Sequence, residues 1–150
     1  MPPTQTLVLP PHLSKRIFRV SFLATSSIAA AVYNGRLDCA CLATLVLCTS
    51  INYWRHPVLG WRRTVDMASA MGSLAYQLLV VCPEAPRGGQ ASYLALTACG
   101  CGCYMNARYF SFAKQNKAAG SAWHTGVHVL GNAGNIILYD SLGKNHVRWA

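Results

Sequence analysis

Five apolar stretches, each long enough or nearly long enough to cross a lipid bilayer, follow one another with short polar breaks, at about 17–35, 37–54, 64–83, 91–107 and 122–142. A hydrocarbon core of roughly 30 Å takes about 20 helical residues to cross. Backbone N–H and C=O groups find no water there, so such stretches fold as helices that satisfy their own hydrogen bonds. The chain is therefore expected to be an all-α, multi-pass membrane bundle of about five transmembrane helices, built as one domain over residues 1–150. Composition agrees. Charged residues make up 11% of the chain, against roughly 25% in an ordinary soluble domain, and apolar residues 53%. So little charge cannot cover the surface unless lipid does, or unless a protein partner does, which is the soluble alternative.

Residues 1–14 contain four prolines and are expected to form an extended arm. Lys15, Arg16 and Arg19 then lead into the first span. Its Ala-rich end at 28–31 resembles a cleavage site, so a removable targeting segment over 1–31 is an alternative to an uncleaved span. Asn34, Gly35 and Arg36 form a short turn, which makes the first two spans an antiparallel hairpin. Pro57 and Gly60 break the basic loop 55–63 between Trp54 and Trp61, rings suited to a membrane interface. Five crossings place Lys15, Arg16, Arg19, Arg55, Arg62, Arg63, Arg108, Lys114 and Lys117 on one side, with Arg36, Arg87, Lys144 and Arg148 on the other. By the positive-inside bias, the N-terminus is expected in the cytoplasm. The net charge of +9 is dispersed in small groups at span ends, which suits a bilayer partner, with other membrane subunits possible, and argues against nucleic acid.

The seven cysteines sit in or beside apolar stretches without a CxxC pair and are expected to pack as small hydrophobes. Cys99, Cys101 and Cys103 are spaced two apart, which points them to different sides of a helix.

The fifth span carries His124, His128, Asn132 and Asn135. On a helix, 124, 128, 131 and 135 share a face, and a polar face in an apolar span has to point into the bundle. The third span carries a second stripe at Asp66, Ser69 or Ala70, Ser73 and Gln77, and the two stripes are expected to face each other. With five crossings, His56, Asp66, His124 and His128 share a depth near the inner face. Two His at i and i+4, completed by a third His or a carboxylate, are a zinc-ligand pattern with room for a reactive water. Bundle packing and proton or ion transport are the other readings of the same cluster.

An HxxxH on the last helix, a Ser and a His near the end of an early one, and an Asp near the start of the next resemble the superfamily of alkaline ceramidases and progestin/adiponectin-type receptors. Carried over, the resemblance implies His124, His128 and His56 as zinc ligands, with Asp66 and Ser50 as catalytic groups in lipid-amide or ester hydrolysis. It covers those five residues and no continuous segment, and the family has seven spans.

Overall fold

The computed structural model describes residues 7–146, and this region is all-helical: α1 (Pro11–Ser21), α2 (Ala24–Tyr33), α3 (Leu37–Trp54), α4 (Trp61–Tyr76), α5 (Arg87–Arg108) and α6 (Lys117–His146). A π-helical turn, Gln77–Val81, and a 3-10 turn, Cys82–Glu84, prolong α4, and a π-helical turn, Tyr109–Ala113, prolongs α5. Arm residues 1–6 and tail residues 147–150, Arg148 among them, lie outside the described residues.

Local chemistry sets the helix ends. Pro11 opens α1 at the position where a missing N–H costs nothing. The expected arm is therefore shorter than 1–14, and Val8 N–H donates to the Pro57 carbonyl at 2.9 Å, tying it to the loop after α3. Gly35, at φ +71°, ends α2: its N–H donates to Val32 O and the Arg36 N–H to Ala31 O, a Schellman closure that turns the chain into α3. Asn116 caps α6, its side-chain oxygen accepting the Ala119 N–H at 3.0 Å.

The single first span expected over 17–35 is two helices. At the joint, Phe22, Leu23, Thr25 and Ser26 donate their N–H groups three residues back, and the Thr25 and Ser26 hydroxyls donate to the Phe22 and Leu23 carbonyls at 2.7 and 2.6 Å. Those carbonyls are thus shared with side chains, which tightens the helix there into a 3-10 link. Among the described residues two helices, Leu37–Trp54 and Trp61–Glu84, are long and apolar enough to cross a membrane.

The α6 helix is the most heavily contacted element. It packs along α5 on one flank and against α1 and α2 on the other, while α3 joins α1 and α2 to α4. The α5–α6 contact is close because small residues alternate across it. A methyl group added at Gly126 would meet Cys103 Sγ at 3.0 Å, and one at Gly134 would meet the Tyr93 ring at 3.4 Å. At Gly120 it would run into the Ser111 hydroxyl and lie 3.0 Å from the Ala107 carbonyl oxygen. Gly89 is closed in the same way by Ser141, so the contact runs antiparallel from one end of α5 to the other. Of the clustered cysteines, Cys103 joins this seam, whereas Cys99 and Cys101 face outward.

Two cores flank the bundle's midsection. One, around Leu9, Ile17, Tyr53 and Trp54, lies where α1 meets the end of α3; the other gathers Ala31, Cys39, Val81, Tyr93, Leu138 and Tyr139 at the opposite end. Gly120→Leu is expected to destabilise the protein by about 1–3 kcal/mol, through overpacking against backbone. Gly131→Leu, in open space on the same helix, should be nearly neutral. Thermal unfolding in detergent compares the two.

Candidate functional site

The α4 stripe faces inward at Asp66, Ser73 and Gln77, which are buried, and at half-buried Ser69; Ala70 is exposed. Each member has a partner. Ser50 Oγ donates to Asp66 Oδ1 at 2.6 Å, and Thr49 and Ser69 hydroxyls lie 2.7 Å apart, so α3 supplies two rungs. Gln77 Nε2 donates to Ser73 Oγ at 3.3 Å, and Gln77 Oε1 accepts the Tyr93 hydroxyl of α5 at 3.1 Å. The carboxyl of Asp66 thus sits beside a serine, as one rung of the α3–α4 contact.

The α6 stripe differs from its expected form. His124, His128 and Asn132 carry it, with Gly131 turned outward. Asn132 Nδ2 donates to the His128 carbonyl at 2.7 Å, while its Oδ1 accepts the Ser27 hydroxyl of α2 at 2.6 Å. The His124 ring centroid lies 5.0 Å from that of Trp54 and 5.3 Å from that of His128. His128 Nε2 is enclosed and has no hydrogen-bond partner among the described residues. The two polar stripes therefore do not serve one another: the α4 stripe is satisfied by α3 and α5, while on α6 Asn132 bonds α2, His124 packs on Trp54, and His128 Nε2 stays unpaired among the described residues. The order of packing decides this, because α3 lies against α4 while α2 lies against α6.

Among the described residues no three His, Cys, Asp or Glu side chains come together in a group that could hold a metal. His56, expected as the third ligand, is exposed in the loop after α3. The physical reason is local. Helix α3 ends at Trp54, and the loop turns through the buried Pro57, so the indole, and not the imidazole of His56, meets His124.

Sequence reading missed that one guanidinium, Arg36, binds two carboxylates. At the opposite end of the bundle Arg36 donates to Asp38 from Nε at 3.1 Å and Nη2 at 2.8 Å, and from Nη1 to Glu84. Tyr76 OH donates to Asp38 Oδ2 at 2.7 Å. The hydrogen bonds to Asp38 raise the Arg36 pKa above its already high range despite partial burial, and Glu84 adds to the effect. Glu84 takes Arg36 across the bundle, although Arg87 is nearer in sequence. The available signal was the expected alternation of helices, which brings the turns at 34–36 and 84–87 to one end.

Comparison with protein-family models, with curated proteins and with solved structures gives no match.

Ser50→Ala removes the only side-chain hydrogen-bond partner of the buried Asp66 carboxyl among the described residues and is expected to cost about 1–3 kcal/mol. In an Asp66→Ala background the same change should cost much less. A double-mutant cycle of unfolding midpoints in detergent reads the difference; equal costs in both backgrounds would show that the pair is not coupled.

Proposed function

We propose that the protein is a five-crossing integral membrane protein of structural or lipid-associated function, with its basic end in the cytoplasm. The observation that carries this reading is where its apolar surface lies. In the two helices apolar enough to span, only 33% and 28% of the apolar stretch is buried within the bundle, so most of each points outward. A core helix of a soluble protein would be mostly buried. Leu45, Met71, Leu79, Leu94, Met105 and Val129 are among the large apolar side chains left exposed. Residues 20–35, 39–54, 67–83, 88–107 and 118–139 contain no Asp, Glu, Lys or Arg. A belt free of charge and rich in exposed apolar groups is the surface that hydrocarbon solvates best.

The less apolar helices fit the same reading. Helix α6 covers its His and Asn face with α1, α2 and Trp54, and α5 turns Gly89, Tyr93, Gly100 and Ala107 inward. Small residues and interhelical hydrogen bonds hold helices together where lipid offers no hydrophobic drive between them. The polar stripes are, on this view, fastenings between helices. The apolar core around Leu138 and Tyr139 fills the bundle beyond Asn132, which argues against a polar path for ions.

Topology mapping tests the proposal. Glycosylation acceptors carried on flexible inserts after Leu59 and after Gln115 are expected to behave alike, and those after Gly35 and Pro86 to behave oppositely, in microsome-coupled synthesis. A matching result at 59 and 86, or release of the protein by alkaline carbonate, would refute five crossings. For the histidines, elemental mass spectrometry is expected to find no zinc that depends on His124 and His128. Stoichiometric zinc lost in the His124→Ala, His128→Ala variant would instead restore the hydrolase reading.

A further inference from the structure

We propose that the cleft between α1 and α6 is a binding site for one anionic phospholipid, taken by its phosphate headgroup and the first part of its acyl chains. The inference rests on the membrane reading above. The cleft has a volume of about 570 Å³. His12, Lys15, Arg16, Arg19, Val20 and Leu23 line it from α1 and its joint with α2, and Thr125 borders it from α6, leaving it open on its outer side.

The lining is graded along its length. Positions 12, 16, 19 and 23 recur at three- and four-residue steps and so form one stripe of α1, opposite the buried Ser14, Ile17 and Ser21. The stripe begins with His12 at the outer end, continues through Arg16 and Arg19 with Lys15 beside them, and finishes with Leu23, next to Val20, towards the membrane midsection. From residue 12 to 23 a helical rise covers roughly 16 Å. A free anion would use only the outer half of such a cleft. An amphiphile, with charge at one end and hydrocarbon at the other, uses all of it.

The charge here is not paired with a carboxylate among the described residues. Of its four acidic residues, Asp66 accepts from Ser50, Asp38 and Glu84 bind Arg36 at the other end, and Asp140 lies in the far half of α6. Lys15, Arg16 and Arg19 are exposed. Four other basic side chains at this end are engaged: Arg62 lies over Trp61, Arg108 over Phe112 and Lys114 over Tyr109, while Lys117 donates to the Val8 carbonyl. The α1 cations are set beside an apolar wall instead. Guanidinium groups offer paired N–H donors to phosphate oxygens, so Arg16 and Arg19 are the expected headgroup contacts.

The test uses the full chain in mild detergent, with dioleoyl phosphatidate as probe and native mass spectrometry and a fluorescent phosphatidate titration as readouts. One phosphatidate per chain is expected, with phosphatidylcholine and soluble glycerol phosphate competing poorly. Arg16→Gln with Arg19→Gln should weaken binding about thirtyfold, at roughly the strength of two basic contacts with an anionic lipid. Leu23→Ser should weaken it with the cations intact, and Arg62→Gln with Arg63→Gln should leave it within about twofold. Circular dichroism of each variant shows whether it is folded. Equal losses from the two Arg pairs would overturn the site in favour of a diffuse basic surface. Equal competition by glycerol phosphate, or no effect of Leu23→Ser, would overturn the lipid in favour of a phosphate site. Failure of the membrane reading shows separately in the topology map, since binding in detergent does not depend on the number of crossings.

Discussion

Close approach of α5 to α6 is the contact on which the other packing depends. Helix α6 is 30 residues long and carries three polar side chains, His124, His128 and Asn132, on a face that neighbouring helices cover. Its opposite flank has to be held by something other than hydrogen bonds, and the glycines at 120, 126 and 134 provide this by removing the side chains that would keep α5 away. With α5 seated there, the His124, His128 and Asn132 face is left for α1, α2 and the Trp54 end of α3. The same logic operates at the C-terminal end of α6, where Gly143 lies so close to Asn34 that an added methyl group would clash. That contact anchors the helix to the Schellman turn between α2 and α3, and so joins the two halves of the bundle.

Polar groups inside such a bundle act by pairing at short range. A hydroxyl facing an amide or carboxyl across a helix seam contributes modestly, but leaving either alone in an apolar interior costs more than the bond supplies. Ser27 with Asn132, Ser50 with Asp66, and Tyr93 with Gln77 each join a different pair of elements. Together they specify which helix sits beside which. His128 departs from this rule, because its enclosed Nε2 has no such partner among the described residues. His124 shares the departure in part, being held by ring contacts alone in the interactions found here.

How much of this was legible in the sequence follows from what each feature depends on. The helical class and the α4 stripe depend on composition and on a 3.6-residue period, and a single chain displays both. Partnership does not show in a period. Asp66 and His124 belong to the same depth, yet their neighbours are Ser50 and Trp54, because neighbours are chosen by the order of packing. Glycine is ambiguous for a related reason: Gly100 and Gly134 are buried in the seam, while Gly102 and Gly131 are exposed, and nothing about the residue itself says which. The joint at Phe22 and Leu23 was hidden because Thr25 and Ser26 are acceptable in a helix; only their hydrogen bonds to the preceding turn reveal the break.

That joint matters for the charge at the basic end. A first span running unbroken from 17 to 35 would have carried Arg19 on the same straight helix as the Ala-rich segment, as one more flanking cation. With the 3-10 link, α1 becomes a separate amphipathic helix whose inner face, at Ile17, packs on the Tyr53 and Trp54 core and whose other face borders α6. Lys15, Arg16 and Arg19 are then presented along a groove instead of in a loop. Elsewhere at this end Arg62, Arg108 and Lys114 lie over aromatic neighbours and Lys117 reaches a backbone carbonyl. The break in the first helix, fixed by two hydroxyl groups, is thus what turns a generic run of span-flanking charge into a surface with a direction, charged at one end and apolar at the other.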